Sequence, residues 1–191
     1  ISGSSMGAIV GALYASGMSG SRIKEQIRRH IILKEDSWND VMEKRAELLK
    51  WFTAFSPGFF RGGLIRGEGF LRHLLAEITR STFEELEIPL LVTATDYWSA
   101  GEVVITEGEL LPALQASMAV PGIFAPVVIE GRVLIDGGIT NQVPYDHLVG
   151  RADFIIAVDV SRARKPESRE IPNALESILG TFDIMQQAAL A

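Results

Sequence analysis

Residues 1–17 read Ile1-Ser2-Gly3-Ser4-Ser5-Met6-Gly7-Ala8-Ile9-Val10-Gly11-Ala12-Leu13-Tyr14-Ala15-Ser16-Gly17. Gly3, Ser5 and Gly7 make a G-x-S-x-G pattern. A small, apolar stretch follows at once. Such a stretch predicts a helix over Met6–Ser16 that is buried on most sides. A strand tip followed by a sharp turn and a buried helix is the setting of a nucleophile elbow. There the serine stands exposed at a helix N-terminus, and flanking glycines relieve crowding. The N–H groups at that terminus favour developing negative charge, and the Met6 N–H is one candidate oxyanion donor. Alone the pattern is modest evidence, since chance yields it in roughly one chain in fifteen of this size. The competing reading of Ser5 is a small residue in a glycine-lined turn.

Working outward, Gly7 and Gly11 cost helix propensity and are expected to allow close packing. Gly17 reads as a helix stop and Ser19 as the N-cap of the next helix. Helical spacing recurs over 21–32, 37–49 and 67–78. Pro89–Thr95 and Phe154–Val160 are short apolar runs of the kind expected of strands buried in a helix-covered sheet. Glu102–Thr106 is another strand candidate, Glu109–Ala119 is helical, and Pro121 ends that helix. Residues 126–130 and 132–135 read as two strands joined tightly through Gly131. A charged, Pro-flanked loop over 161–172 and a helix over 174–190 complete the chain. Strands alternating with helices predict an α/β fold, a three-layer α/β/α sandwich with a mostly parallel central sheet. A single domain over 1–191 is expected. The first strand appears only as its tip and the last helix has no cap, so the sequence reads as truncated at both ends.

The composition narrows the function classes. The chain has 191 residues, 47% of them hydrophobic and 22% charged, as in ordinary globular domains. A net charge of −6 argues against broad nucleic-acid binding and against strong attraction to anionic lipid. With no cysteine there is neither a disulfide framework nor a thiolate metal site. No apolar run approaches the roughly 18 residues of a membrane span, and no signal peptide is visible. The expected location is cytoplasmic, or peripheral to a membrane.

A second motif supplies a partner for Ser5. Val133-Leu134-Ile135-Asp136-Gly137-Gly138 places a carboxylate at the end of an apolar strand, ahead of two glycines. An aspartate is a weak base in water, with a pKa near 4. Burial beside a serine would raise that value and direct the carboxylate at one proton. The competing reading is a common Asp-Gly turn. Of the three histidines, His30 and His73 lie on charged helical stretches. His147 follows Asp136, so Ser5, Asp136 and His147 keep the chain order of an α/β-hydrolase triad. Its surroundings (residues 144–153) read as a surface turn, so a serine–aspartate dyad is favoured over a triad.

Three blocks in order, GSSMGAIVGALYASG (3–17), ASMAVPGIFAPV (116–127) and IDGGITNQVP (135–144), preceded by Thr93-Ala94-Thr95-Asp96, resemble the bacterial patatin-like phospholipase family. The resemblance covers essentially the whole chain. It implies a three-layer fold related to the catalytic domain of cytosolic phospholipases. It also implies lipid acyl-ester hydrolysis through an acyl-enzyme, without metal or organic cofactor. Matched by position, Ser5 is the nucleophile and Asp136 the base, with Gly3, Met6, Gly7, Gly137 and Gly138 completing the motifs. The family's Gly-rich oxyanion loop would precede Ser5 and is expected to be missing. Phe60-Arg61-Gly62-Gly63 is similar in composition but follows the elbow, so it does not take that role. The substrate implied is a lipid or acyl ester. Five aromatics within 51–60 are candidates for a lid, an acyl-chain wall or transient membrane contact, flanked by Arg61 and Arg66 as candidate phosphate contacts. Asn141 and Gln142 are expected to buttress the Asp136 turn by hydrogen bonds. Two alternatives stay open: an α/β-hydrolase-type esterase using His147, and a non-catalytic binding or regulatory domain on the same scaffold.

Overall fold

The computed structural model describes residues 1–30 and 80–160, with single positions 69, 71, 72, 75, 171, 177, 180, 181, 184 and 185. The short strand β1 (Ser2–Ser4) runs into helix α1 (Met6–Ala15) with only Ser5 between them. Ala8, Ile9, Gly11, Ala12, Leu13 and Ala15 of α1 are all buried, as its all-round apolar surface requires. The helix stops where Gly17 takes φ +93°. There Gly17 N–H donates to the Tyr14 carbonyl and Met18 N–H to the Leu13 carbonyl, a Schellman closure. Helix α2 (Gly20–His30) follows, with the Ser19 hydroxyl accepting from Arg22 N–H at 3.4 Å.

Strand β2 (Leu91–Asp96) is the spine of the sheet, and Leu91–Thr95 are all buried. It turns through Tyr97–Ala100 into β3 (Gly101–Ile105). Helix α3 (Leu110–Ser117) comes next. Then β4 (Val127–Ile129) and β5 (Arg132–Asp136) pair across a two-residue turn. Both turn residues, Glu130 and Gly131, have positive φ, as tight hairpins demand. The main core packs α1 and α3 on the sheet through Ile9, Leu13, Val92 and Leu114. Ala94, Ala116 and Leu134 form a smaller cluster beside it. No described helix is long and apolar enough to cross a membrane.

The α/β expectation holds, with one refinement. Among the described residues only the β1–β2 ladder is parallel, while β2–β3, β2–β5 and β4–β5 are antiparallel, so this part of the sheet is mixed. Connection length accounts for β2–β3 and β4–β5, because tight turns join neighbours only in antiparallel order. Two further expectations are corrected. Phe154–Val160 is not a buried strand, since Phe154, Ile156, Val158 and Val160 are 70–83% exposed. An apolar run becomes a strand only when a ladder partner takes its backbone bonds, and no described strand pairs with it. Gly11 does sit against Leu90 and Ile1, but a side chain at Gly7 would meet nothing described within 4 Å. The close approach belongs to Gly3 instead, where an added Cβ would lie 2.6 Å from the Gly7 carbonyl group. The helical stretches expected over 37–49, 67–78 and 174–190, and the loop over 161–172, lie wholly or largely outside the described residues.

These contacts make a contrast that denaturant unfolding can measure. Gly3→Ala is expected to destabilise the protein by about 1–3 kcal/mol through overpacking against backbone. Gly7→Ala is expected to be neutral, or stabilising by up to about 1 kcal/mol through helix propensity. Equal losses in both variants would contradict this packing.

Candidate active site

Two registers bring the site together. β3 occupies one edge of β2 from Val92 to Asp96. β1 and β5 therefore share the other edge. β1 runs parallel along Leu91–Thr93, ending with Ser4 opposite Thr93. β5 runs antiparallel along Asp96–Ala94, ending with Asp136 opposite Ala94. Their C-terminal ends meet head-on, one strand step of about 3.3 Å apart along β2. Ser5 is the next residue after Ser4, so it emerges beside Asp136.

Ser5 leaves the strand at φ 50°, ψ −120°. For a non-glycine residue this is a sparsely populated conformation that costs on the order of 1–3 kcal/mol. Its carbonyl accepts from Ala8 and Ile9 N–H at 3.0 and 3.2 Å, starting α1. Its N–H belongs to neither ladder nor helix and donates to the Ser117 hydroxyl at 2.8 Å. Met6 is the first residue of α1, so its N–H has no intrahelical acceptor and stands at the positive end of the helix.

Asp136 is held on nearly every polar atom. Its N–H donates to the Ala119 carbonyl at 3.1 Å, and its carbonyl accepts from the Thr95 hydroxyl at 2.9 Å. Oδ1 accepts from Gly138 N–H at 2.8 Å. The backbone then makes a short 3₁₀ turn, Gly137–Ile139. Gly137 is required there by space, because a Cβ would collide with the Thr93 carbonyl. What remains is Oδ2, which is buried and completes no hydrogen bond of ordinary geometry among the described residues. The Ser5 hydroxyl is nonetheless close enough to favour the charged carboxylate, as does Gly138 N–H. Burial outweighs both, and the Asp136 pKa is pushed up to about 6.

His147 lies elsewhere. Its Nε2 pairs with Glu102 Oε1 at 3.0 Å and stands 3.8 Å from Asp146 Oδ2. Glu102 pairs with Thr95 in the ladder, whereas Asp136 pairs with Ala94. Alternation puts these pairs on opposite faces of the sheet. The structure thus brings Ser5 and Asp136 together and leaves His147 out. A cavity of about 590 Å³ opens beside His147 and Arg151, but neither Ser5 nor Asp136 lines it. Glu102, Asp146 and His147 hold donor atoms within 4.8 Å of one another, a spacing that could admit a metal ion. They are instead bonded to one another and to Asn141. The expected buttress is corrected in detail. The Asn141 side chain donates to Asp146, and only its backbone N–H supports the turn, at the Gly137 carbonyl. Gln142 Oε1 is buried without a partner among the described residues. Phe60–Gly63, Arg61, Arg66, His73 and the aromatic stretch 51–60 lie outside the described residues, as does the side chain of His30. Sequence reasoning assigned no role to Ser117, Ala119 or Thr95. The available signal was a hydroxyl at Ser117, closing a largely apolar helical stretch.

A family profile described as patatin-like phospholipase matches residues 1–149. The chain belongs to the patatin-like phospholipase family. Among its relatives is an NTE family protein of Mycobacterium tuberculosis, 32% identical over 171 residues, which are 89% of this chain and 43% of that protein. Human patatin-like phospholipase domain-containing protein 6 is 29% identical over 84% of this chain and 11% of its own length. Domain-containing protein 7 of Rattus norvegicus is 28% identical over 92% and 12%. The chain therefore spans less than half the length of these relatives. All three alignments cover most of this patatin-like chain.

The buried carboxyl gives a pH signature in stability. Raising the folded pKa of an acid means the native state holds its proton where the unfolded chain has lost it. Stability from this group is then full below pH 4, falls between about pH 4 and pH 6, and is flat above. Asp136→Asn is expected to remove that slope. It should gain on the order of 2–3 kcal/mol at pH 7–8 in denaturant unfolding. A variant less stable than wild type at pH 8 would contradict the burial account.

Proposed function

We propose that this chain carries the catalytic centre of a serine acyl hydrolase acting on lipid esters through a Ser5–Asp136 dyad. The observation that carries the reading is the buried Oδ2 of Asp136, without another partner among the described residues, beside a strained serine at a helix N-terminus. Above about pH 6 Asp136 is ionised and takes the Ser5 proton as Oγ attacks the ester carbonyl. Negative charge on the carbonyl oxygen develops toward the Met6 N–H and the helix terminus. The alcohol leaves with the proton from Asp136, giving an acyl-serine. Asp136 then draws a proton from water, which attacks the acyl carbon, and returns that proton to Ser5 Oγ as it leaves, freeing the acid and restoring the dyad. A pKa near 6 suits both steps, because the group must accept and return a proton near neutrality.

Family membership and the names of the relatives support a lipid ester as substrate. To the aromatics of 51–60 we assign contact with the acyl chain or lipid surface, on composition alone. Hydrolysis of a lysophospholipid and of a soluble acyl ester tests the dyad. Ser5→Ala is expected to lose at least about 10⁴-fold in kcat/KM and Asp136→Asn about 10²–10⁴-fold. His147→Ala should stay within about 3-fold, since its ring is committed to Glu102. A folded His147→Ala variant losing several orders of magnitude would overturn the dyad in favour of a triad.

A further inference from the structure

One short segment grips the backbone of both reacting residues. Ser117, the last residue of α3, accepts from Ser5 N–H through its side chain at 2.8 Å. Two residues later the Ala119 carbonyl accepts from Asp136 N–H at 3.1 Å. The bonds join positions 112 apart (Ser5 to Ser117) and 17 apart (Ala119 to Asp136) in the chain. Ser117 and Ala119 are both fully buried, and Ala119 belongs to the main core.

The bond at Ser5 solves a local problem. The β1–β2 ladder ends at Ser4, and the space beyond on that edge is taken by the end of β5. Among the described residues no strand carbonyl is left for Ser5 N–H, and α1 supplies none because helical acceptors lie four residues back. An elbow at positive φ thus leaves a donor that must be satisfied from outside. A hydroxyl can accept that hydrogen bond, whereas an alanine there could not.

We propose that Ser117 is a positioning residue for this centre, fixing the Ser5 elbow at a set spacing from Asp136 through the Ser117–Ala119 segment. The proposal rests on the acyl-hydrolase reading for its effect on turnover, but not for its effect on the Ser5 backbone. Ser117 touches no substrate and takes no proton. Its loss lets Ser5 relax toward ordinary backbone conformations, and fewer molecules hold Oγ in line with Asp136 Oδ2. Such a defect lowers kcat and leaves KM nearly untouched, because substrate contacts are unchanged. It also leaves the acid limb of the pH profile where Asp136 sets it.

The matched pair Ser117→Thr and Ser117→Val isolates the hydroxyl, since both add the same bulk and only threonine can accept the bond. Ser117→Val is expected to show kcat roughly 10- to 100-fold below Ser117→Thr. KM should agree within about 2-fold and the acid limb should not move. Amide hydrogen exchange at Ser5 should be slow in wild type and in Ser117→Thr, and faster in Ser117→Val. Equal kcat in folded Thr and Val variants overturns the proposal, as does a shift of the acid limb in Ser117→Val alone. If neither variant folds, wild-type exchange decides, and a freely exchanging Ser5 amide overturns it. Hydrolysis surviving in Ser5→Ala would sink the Ser5–Asp136 reading instead, while the exchange comparison still tests the Ser117 bond.

Discussion

Strand β2 has one edge left after β3 is paired, and two strands of opposite direction divide it between Thr93 and Ala94. That division constrains the rest of the site. A parallel strand arriving from one side and an antiparallel strand from the other can both end at the same point only if their C-termini face each other. Side chains 131 positions apart in sequence (5 and 136) are thereby placed together. Neither strand can then continue, so each must turn away at once. β1 does so through the strained Ser5 into α1, and β5 through Asp136 into the Gly137 turn. The elbow and the glycine turn are consequences of the same shared edge.

Holding such a junction costs stability twice. A serine sits in a backbone region that L-residues avoid, and a carboxyl is sunk where its charge is disfavoured. Hydrogen bonds to the Asp136 backbone and to one carboxylate oxygen offset part of this. Thr95 caps the Asp136 carbonyl and also meets Thr140, at 2.8 Å, while Gly138 fills one carboxylate oxygen. The Ser117–Ala119 segment takes the two N–H groups. The hydrogen bonds fall on the Asp136 backbone and on Oδ1, so the carboxyl oxygen without one among the described residues, Oδ2, lies beside the Ser5 side chain. A strained and poorly solvated pair whose backbone is held by hydrogen bonds suits a reaction needing one directed proton transfer.

Much of this was legible locally. The all-apolar face of α1, its stop at Gly17, the buried run of β2 and the tight turn at Gly131 follow from spacing and turn chemistry alone. The raised Asp136 pKa followed from expecting a carboxylate at the end of an apolar strand. What the chain did not disclose depends on register. The sharing of one β2 edge is a relation among three distant segments, and no short window carries it. Ser117 looked like a small residue in an apolar helix, because its partner is a backbone N–H that exists only once the elbow is formed. Phe154–Val160 had the composition of a buried strand, yet composition cannot supply a ladder partner. Gly7 was misread for a related reason. Its absent side chain faces open space among the described residues, and it is a Cβ on Gly3 that would meet the Gly7 backbone.

The central claim is that Ser5 is made reactive by an aspartate whose charge is held in check by burial. Its most direct test is the rate at which a serine-directed fluorophosphonate modifies the protein between pH 4 and pH 8, with the modified peptide identified by mass spectrometry. The account predicts a single adduct on Ser5, forming at a rate that rises with pH to half its maximum at about pH 6, and a slow, pH-independent reaction in Asp136→Asn. Modification at another residue, or a Ser5 rate in wild type that does not change between pH 5 and pH 7, would contradict it.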